Sequence, residues 1–483
     1  MTALDWHLLL PWCILGATAV ASAPLSAFLR SRAIALGLTC AALAATVIAC
    51  IAIAPFAPRT VTPLIVIDGF SLYYVGLIAI CGLAAALLAH DHFPGEQAGH
   101  GEFYTFLLLA TFGAATIVAS AHFISLFLGL EILNVSAYVL IAWRRESIGG
   151  IEAAMKYLVP GAVGGAFLLF GMALVYANLG TMGLSSIISL LARPGSGSLM
   201  VGTGLLLIAV GIGFKLALAP FHLWTPDVYE GAPVPAAAIV ATVSKAAVFA
   251  LFMRYFYPLF MLHAIASTAI VTMAVASMII GNLLAVRQPN LKRIIAYSSI
   301  AHMGYFLSAF IGGGRFGIIA ATYYLTAYVV TLIVAFGVLS MLSRRASAET
   351  IADIRALSAR SPWLAGAFTV ACASFAGLPL AAGFFGKFYA LASMAHTGAW
   401  VLAITLVATS GIGIYYYLKI ISAMFEKPVA GEVPETPAMT QSGDKIPRSF
   451  LSAAVLSVAV ITVLILGIVP APLTGLIAHI VGK

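Results

Sequence analysis

The chain has 483 residues, 62% of them hydrophobic and 8% charged, with a formal net charge of +8. A soluble domain carries about a quarter charged residues, so this composition excludes one and points to a protein lying almost wholly in the bilayer. Apolar windows of about 20 residues recur along the whole length, which calls for spanning helices rather than a barrel.

In chain order, fourteen spans are expected: 8–28, 32–54, 68–90, 104–119, 123–143, 150–177, 200–228, 234–257, 263–285, 290–311, 316–342, 362–393, 400–425 and 449–475. The fold class is therefore all-α, a polytopic membrane protein. The first span follows Asp5 with no basic stretch before it, and reads as a retained helix rather than a cleaved signal. The fourth is the shortest. Cys13, Cys40, Cys50, Cys81 and Cys372 all fall inside spans without a CxxC pair, which suits structural thiols and not cluster ligands.

Basic residues orient the chain. Odd-numbered loops carry Arg30, Arg32, Arg144, Arg145, Arg287, Lys292, Arg293, Arg344, Arg345, Arg355, Arg360, Lys427, Lys445 and Arg448. Even-numbered loops carry Arg59, Arg193, Arg254 and Arg315. Fourteen against four places the odd loops in the cytoplasm and both termini on the opposite, periplasmic side. The positive charge is thus a topology signal, and no nucleic-acid partner is expected.

Five lysines remain unexplained by topology: Lys156, Lys215, Lys245, Lys387 and Lys419. Glu131 is the one acid at the middle of a span. A charge at the bilayer centre costs roughly 2.5–3.5 kcal/mol even on the lenient insertion scale, so each such group needs a partner or a function. Glu131 is followed by Asn134 and Tyr138 on one helical face, and is expected to couple to Lys215. Lysine, unlike arginine, exchanges its proton when desolvated, so buried lysines with a mobile carboxylate suit proton transfer. Lys156 lies one turn beyond Glu152 and also suits a simple ion pair. Lys419, near the end of its span, can snorkel to the interface. His222 and His302 read either as proton relays or as hydrogen-bonded structural histidines; Ser298 and Ser299 lie beside His302 in sequence.

Pro220 in span 7, followed by His222, Thr225 and Pro226, should interrupt that helix. Gly377, Pro379 and Gly383 repeat the feature in span 12. The two segments, five spans apart, must run in opposite directions. Paired broken helices in inverted repeats point to an ion site. Two inverted five-helix repeats follow: 104–257 (spans 4–8) and 258–425 (spans 9–13). They are preceded by 1–103 (spans 1–3) and followed by 426–483 (a loop and span 14). An unwound span 7 is expected to expose backbone groups and Lys215 to a water-filled cavity.

"GFKLALAPFHLWTPDVYEGAPVP" and "SKAAVF" resemble the antiporter-like subunits of respiratory complex I, the NADH-quinone oxidoreductases. Within them the run resembles the branch that carries HLWTPDVYEGAP rather than H-x-W-L-P-D-A. "MKYLVPGAVGGAFLLFGMALVYANLG", "NLKRIIAYSSIAHMGY" and "GFFGKFYAL" match as well, and the resemblance covers roughly residues 70–425. It implies that Glu131 and Lys215 are the span-5 and span-7 partners, that Lys245 passes the proton inward, and that Lys387 stands at the exit. Lys156 matches a further lysine of the family. "GLPLAAGF" has one proline where many relatives have two. The resemblance further implies a bacterial inner-membrane location and assembly with other membrane subunits. It also implies that no cofactor is bound by this chain, with NADH, FMN, iron–sulfur clusters and quinone in the partner subunits. Competing readings are a subunit of a multisubunit sodium/proton antiporter, a subunit of a ferredoxin- or F420-linked complex, and a scaffold whose buried charges are only ion pairs.

Overall fold

The computed structural model describes residues 2–29, 31–93, 101–193, 197–311, 314–343, 349–427 and 450–482. Arg30, Arg344, Arg345, Lys445 and Arg448 of the basic loops lie outside the described residues.

Among the described residues, thirteen helices are long and apolar enough to cross a membrane. Spans 1–6 are Leu10–Leu29, Arg32–Ile53, Gly69–His92, Glu102–Ala119, Phe123–Ile141 and Ile148–Leu179. Span 7 is Leu199–Leu216 continued by Trp224–Gly231. Spans 8–11 are Val234–Met261, Ala264–Val286, Leu291–Ile311 and Gly314–Leu342. Span 12 is made of two shorter pieces, Pro362–Ala376 and Ala382–His396, which brings the crossings to fourteen. Spans 13 and 14 are Trp400–Phe425 and Phe450–Ile468.

The apolar core of span 8 is wholly buried and those of spans 10 and 11 are nearly so, which makes them the centre of the bundle. Between helices that share an apolar solvent, association depends on close packing, and small residues permit it. A Cβ on Gly113 of span 4 would stand 2.7 Å from the backbone of Leu133 in span 5. A Cβ on Gly281 of span 9 would stand 2.6 Å from the backbone of Ala301 in span 10. Each helical hairpin that opens a five-span unit is thus closed by a glycine at its crossing.

The two interruptions share one geometry. Span 7 stops where Ala217 turns left-handed (φ 58°), with Leu218 N donating to Gly213 O at 2.8 Å and Ala217 N to Phe214 O at 3.0 Å. Span 12 stops where Gly377 turns left-handed (φ 81°), with Leu378 N donating to Ala373 O at 2.9 Å and Gly377 N to Ser374 O at 3.1 Å. Both are Schellman stops. The stop precedes Pro220 by three residues and Pro379 by two, which corrects the expectation that proline makes the break. The prolines keep the helix from resuming, because they lack the amide it would need. Protein hydroxyls meet the amides near each break. Ser277 Oγ accepts from Ala219 N at 2.8 Å, and Ser374 Oγ accepts from Gly383 N at 3.1 Å. Ala217, Leu218 and Ala219 are fully buried, so the start of the first break is packed in protein where the sequence suggested a water-filled cavity, while Pro220 and Leu223 further along it are exposed.

Three features escaped the sequence. Span 8 contains two π-helical turns, Val240–Ser244 and Phe252–Phe256, the first ending next to Lys245. Between spans 2 and 3 an antiparallel hairpin pairs Arg59–Thr62 with Ile65–Ile67. The last span ends at Ile468, and Ala471–Gly482 forms a separate helix because Pro470 disfavours helical geometry in the residue before it.

Candidate functional site

Lys215 occupies the last turn of the first half of span 7 and is 6% exposed. Its Nζ donates to Tyr157 Oη of span 6 at 2.8 Å. The Tyr157 ring is held between Tyr138 of span 5 and Trp224, with centroids 5.3 and 4.7 Å away. Trp224 opens the second half of span 7, and its Nε1 donates back to Phe214 O at 2.9 Å. One indole therefore stitches the broken helix together and presses on the phenol that holds Lys215.

Glu131 is half-buried and accepts from Asn134 Nδ2 at 3.2 Å. No direct ion pair joins it to Lys215; Tyr138 and Tyr157 both lie within its electrostatic reach, as does Lys215. Glu131 shares a helical stripe with Ile124, Leu128 and Val135, which are 47%, 54% and 54% exposed. The carboxylate therefore sits at the lateral surface of the chain, midway along an apolar helix. Lys215 also borders a small cavity lined by Leu126, Leu130, Leu168, Ile212 and Val248, an apolar setting that does not favour water.

Deeper in, Lys245 is completely buried and donates to Ser299 Oγ of span 10. Its ammonium lies 5.5 Å from the Tyr229 ring centroid. Ser244, the residue before it, adjoins Tyr157, so the lysines of spans 7 and 8 stand on either side of one tyrosine–serine contact. The hydroxyls of Tyr229 and Tyr328 both adjoin Ser299 without a well-formed hydrogen bond. His302, 2% exposed, stacks on Tyr328 at 4.9 Å and shares a 3.0 Å hydrogen bond with Tyr324 through Nδ1. It lies within electrostatic reach of both Lys245 and Lys387.

Lys387 lies in the second half of span 12 and reaches back across the break. Its Nζ donates to Ala376 O at 2.9 Å, capping the first half, and to Ser410 Oγ of span 13 at 2.7 Å. It also lies 5.4 Å from the Tyr305 ring centroid. Tyr305 Oη accepts from Asn282 Nδ2 at 2.8 Å and donates to Thr409 Oγ1 at 3.3 Å. Among the described residues, none of Lys215, Lys245 and Lys387 forms an ion pair; each ammonium is held by a hydroxyl, and Lys387 by a carbonyl as well.

The structure thus sets Lys215, Lys245, His302 and Lys387 along a buried polar series from span 7 to span 12, with half-buried Glu131 of span 5 at its lateral end. His222 sits in the first break, 5% exposed, with the Pro220 backbone beside its ring and no hydrogen bond of good geometry. Lys156 stands apart, half-exposed, bound to Glu152 at 2.7 Å and Asp227 at 2.8 Å. Lys419 lies on the exposed face of span 13. Sequence reasoning missed Tyr157, Tyr229, Tyr324, Tyr328 and Ser410. The available signal was the tyrosines themselves, because a phenol buried in an apolar span ordinarily finds a polar partner.

A family model described as NADH:quinone oxidoreductase/Mrp antiporter, transmembrane, matches residues 120–413. A protein of Methylococcus capsulatus named NADH-quinone oxidoreductase subunit N is 40% identical over 481 residues, spanning 98% of this chain and 94% of that one. Its namesake in Nitrosospira multiformis is 41% identical over 438 residues, spanning 87% and 85%. A chain of respiratory complex I from Thermus thermophilus superposes with a TM-score of 0.82 at 33% identity, covering 97% of this chain and 99% of that one. A chain of the Mrp complex from Dietzia sp. gives a TM-score of 0.83 at 20% identity, covering 100% and 97%, a likeness of fold. By sequence over nearly its whole length, and by fold, the chain belongs to the NADH:quinone oxidoreductase/Mrp antiporter transmembrane family, among its NADH-quinone oxidoreductase N subunits.

Proposed function

We propose that this chain is a proton-translocating membrane subunit of an NADH-quinone oxidoreductase, and that protons move through it along Glu131, Lys215, Lys245 and Lys387, with His222 and His302 as relays. The observation that supports this reading most is the hydroxyl-held lysine series. Among the described residues, three ammonium groups buried in apolar spans form no ion pair, and tyrosine, serine and histidine side chains lie beside and between them. A purely structural charge would be paired, since an unpaired one is expensive at that depth. Lysine can give up its proton to such a chain of groups, and arginine cannot.

Glu131 is the lateral end of this route. A carboxylate on an exposed apolar stripe faces either lipid, at a cost of roughly 2.5–3.5 kcal/mol, or another membrane subunit that supplies polar groups. The second alternative fits membership of a multisubunit complex. NADH, FMN, iron–sulfur clusters and quinone then belong to partner subunits, and redox chemistry there drives proton movement here. The excess of basic residues in the odd-numbered loops supports an orientation with both termini periplasmic, and the family supports a bacterial inner membrane as the location. The two five-span units, 104–257 and 258–425, are the halves that the lysine series joins.

The test is isolation of the complex through a tag on this chain. Co-purification with flavin and iron–sulfur subunits, and NADH-driven proton uptake by inverted vesicles that needs no sodium, are expected. Co-purification with cation-antiporter subunits free of flavin would replace this reading by the sodium/proton one. Flavin-free subunits reacting with ferredoxin or F420 would replace it by that alternative.

A further inference from the structure

We propose that Lys156, Asp227 and Arg293 form a clamp that fixes the second half of span 7, and that Lys156 is a positioning residue for Lys215 rather than a carrier of protons. This rests on the reading of Lys215 as a proton site.

Asp227 lies in the short helix Trp224–Gly231 and uses both carboxylate oxygens. Oδ2 meets Lys156 Nζ of span 6 at 2.8 Å, and Oδ1 meets Arg293 Nη1 of span 10 at 2.8 Å. Arg293 Nη1 also reaches Glu230 Oε2 at 2.7 Å, one turn along the same short helix. The helix is therefore tied on one side to span 6 and on the other to span 10, in the second five-span unit. Its far end is pressed home as well: a Cβ on Gly231 would stand 2.5 Å from Gly149 O and 2.7 Å from Ala153 Cβ of span 6.

The clamp reaches Lys215 through one turn of helix and two rings. Asp227 is three residues from Trp224, so the two lie on one face. Trp224 packs on Tyr157 and bonds to Phe214 O. Tyr157 is the next residue after Lys156. Consecutive residues of span 6 thus grip the two halves of the broken helix, Lys156 through Asp227 and Tyr157 through Lys215. A shift of the short helix moves Trp224, and with it the phenol that orients the Lys215 ammonium. Lys156 itself sits between two carboxylates, those of Glu152 and Asp227. Exposed ion pairs contribute little one at a time, but a carboxylate shared by two cations from two helices is a network, the setting in which they do matter.

The clamp needs a cation at position 156, whereas a relay needs an exchangeable proton, and arginine separates the two. Lys156→Arg, Lys156→Gln, Asp227→Asn, the double variant Lys156→Gln/Asp227→Asn and Lys215→Arg are compared in the intact complex. NADH-driven quinone reduction and vesicle acidification are read per assembled complex. Lys156→Arg is expected within twofold of the parent, Lys156→Gln and Asp227→Asn at least fivefold lower, and the double variant no worse than the lower single one. A Lys156→Arg complex that fails to assemble, or turns over no better than Lys156→Gln, overturns the clamp. Full activity of Lys156→Gln overturns it too. Lys215→Arg is expected to lose at least tenfold; if it keeps parental activity, the proton-site reading falls, while the position-156 arms still decide the clamp.

Discussion

Lys215 gives its hydrogen bond to Tyr157 and not to Glu131. The carboxylate and the ammonium that the sequence suggests as a coupled pair lie within electrostatic reach but make no direct contact, and a phenol on the intervening span is the ammonium's partner. That arrangement lets Glu131 act on Lys215 electrostatically while leaving the ammonium bound to a group that can itself pass a proton.

Tyr157→Phe tests the phenol. The ring keeps its packing on Tyr138 and Trp224, but a buried charged donor loses its acceptor, which costs about 1–3 kcal/mol. The complex is expected to assemble, with proton delivery down about tenfold or more. Parental delivery would show that the hydroxyl is not on the route.

Gly377→Ala tests the second break. The position has φ 81°, and a Cβ there would stand 2.7 Å from Lys387 Cδ. Left-handed geometry costs an L-residue about 1–2 kcal/mol, and the lysine stem has to move away. Weaker capping of Ala376 O and slower turnover are expected, measured by activity per assembled complex and by a structure of the variant.

Asp68→Ala tests a support far from the lysines. Asp68 caps span 3 by accepting from Ser71 N at 2.8 Å, and pairs with both terminal nitrogens of Arg254 in span 8 at 3.2 and 2.7 Å. Losing the cap costs about 1 kcal/mol, and the partly buried arginine is left alone besides. A lower thermal midpoint of the solubilised complex is expected, with turnover per surviving complex close to the parent's.

The fourteen crossings were legible in the sequence because twenty apolar residues in a row have little alternative to a helix. Glu131, Lys215, Lys245 and Lys387 stood out for the same reason, since a charge is conspicuous in such a run. What could not be read was partnership. Lys215 and Tyr157 are 58 residues apart, and nothing local in either span indicates that they meet. The sequence points to Pro220 for the break in span 7 because proline is the visible breaker. The residue that ends the helix is Ala217, whose left-handed turn no alanine advertises. The pairing of Lys156 with Glu152, one turn away, is legible in the sequence, but its second partner Asp227, 71 residues away, is not.

The most direct measurement is proton delivery by a reconstituted complex carrying Lys245→Met. Lys245 is fully buried and close to methionine in shape, and replacing a buried charge by a well-packed apolar group is often neutral or stabilising. Assembly should therefore survive, leaving the missing ammonium as the cause of any defect. A pH-sensitive dye inside the liposomes, read during NADH oxidation, reports the number of protons moved per electron pair and their rate. If protons cross this chain through Lys245, the assembled variant delivers them at least tenfold more slowly, or delivers fewer per electron pair. The parental rate with the parental number of protons per electron pair would contradict the proposed route.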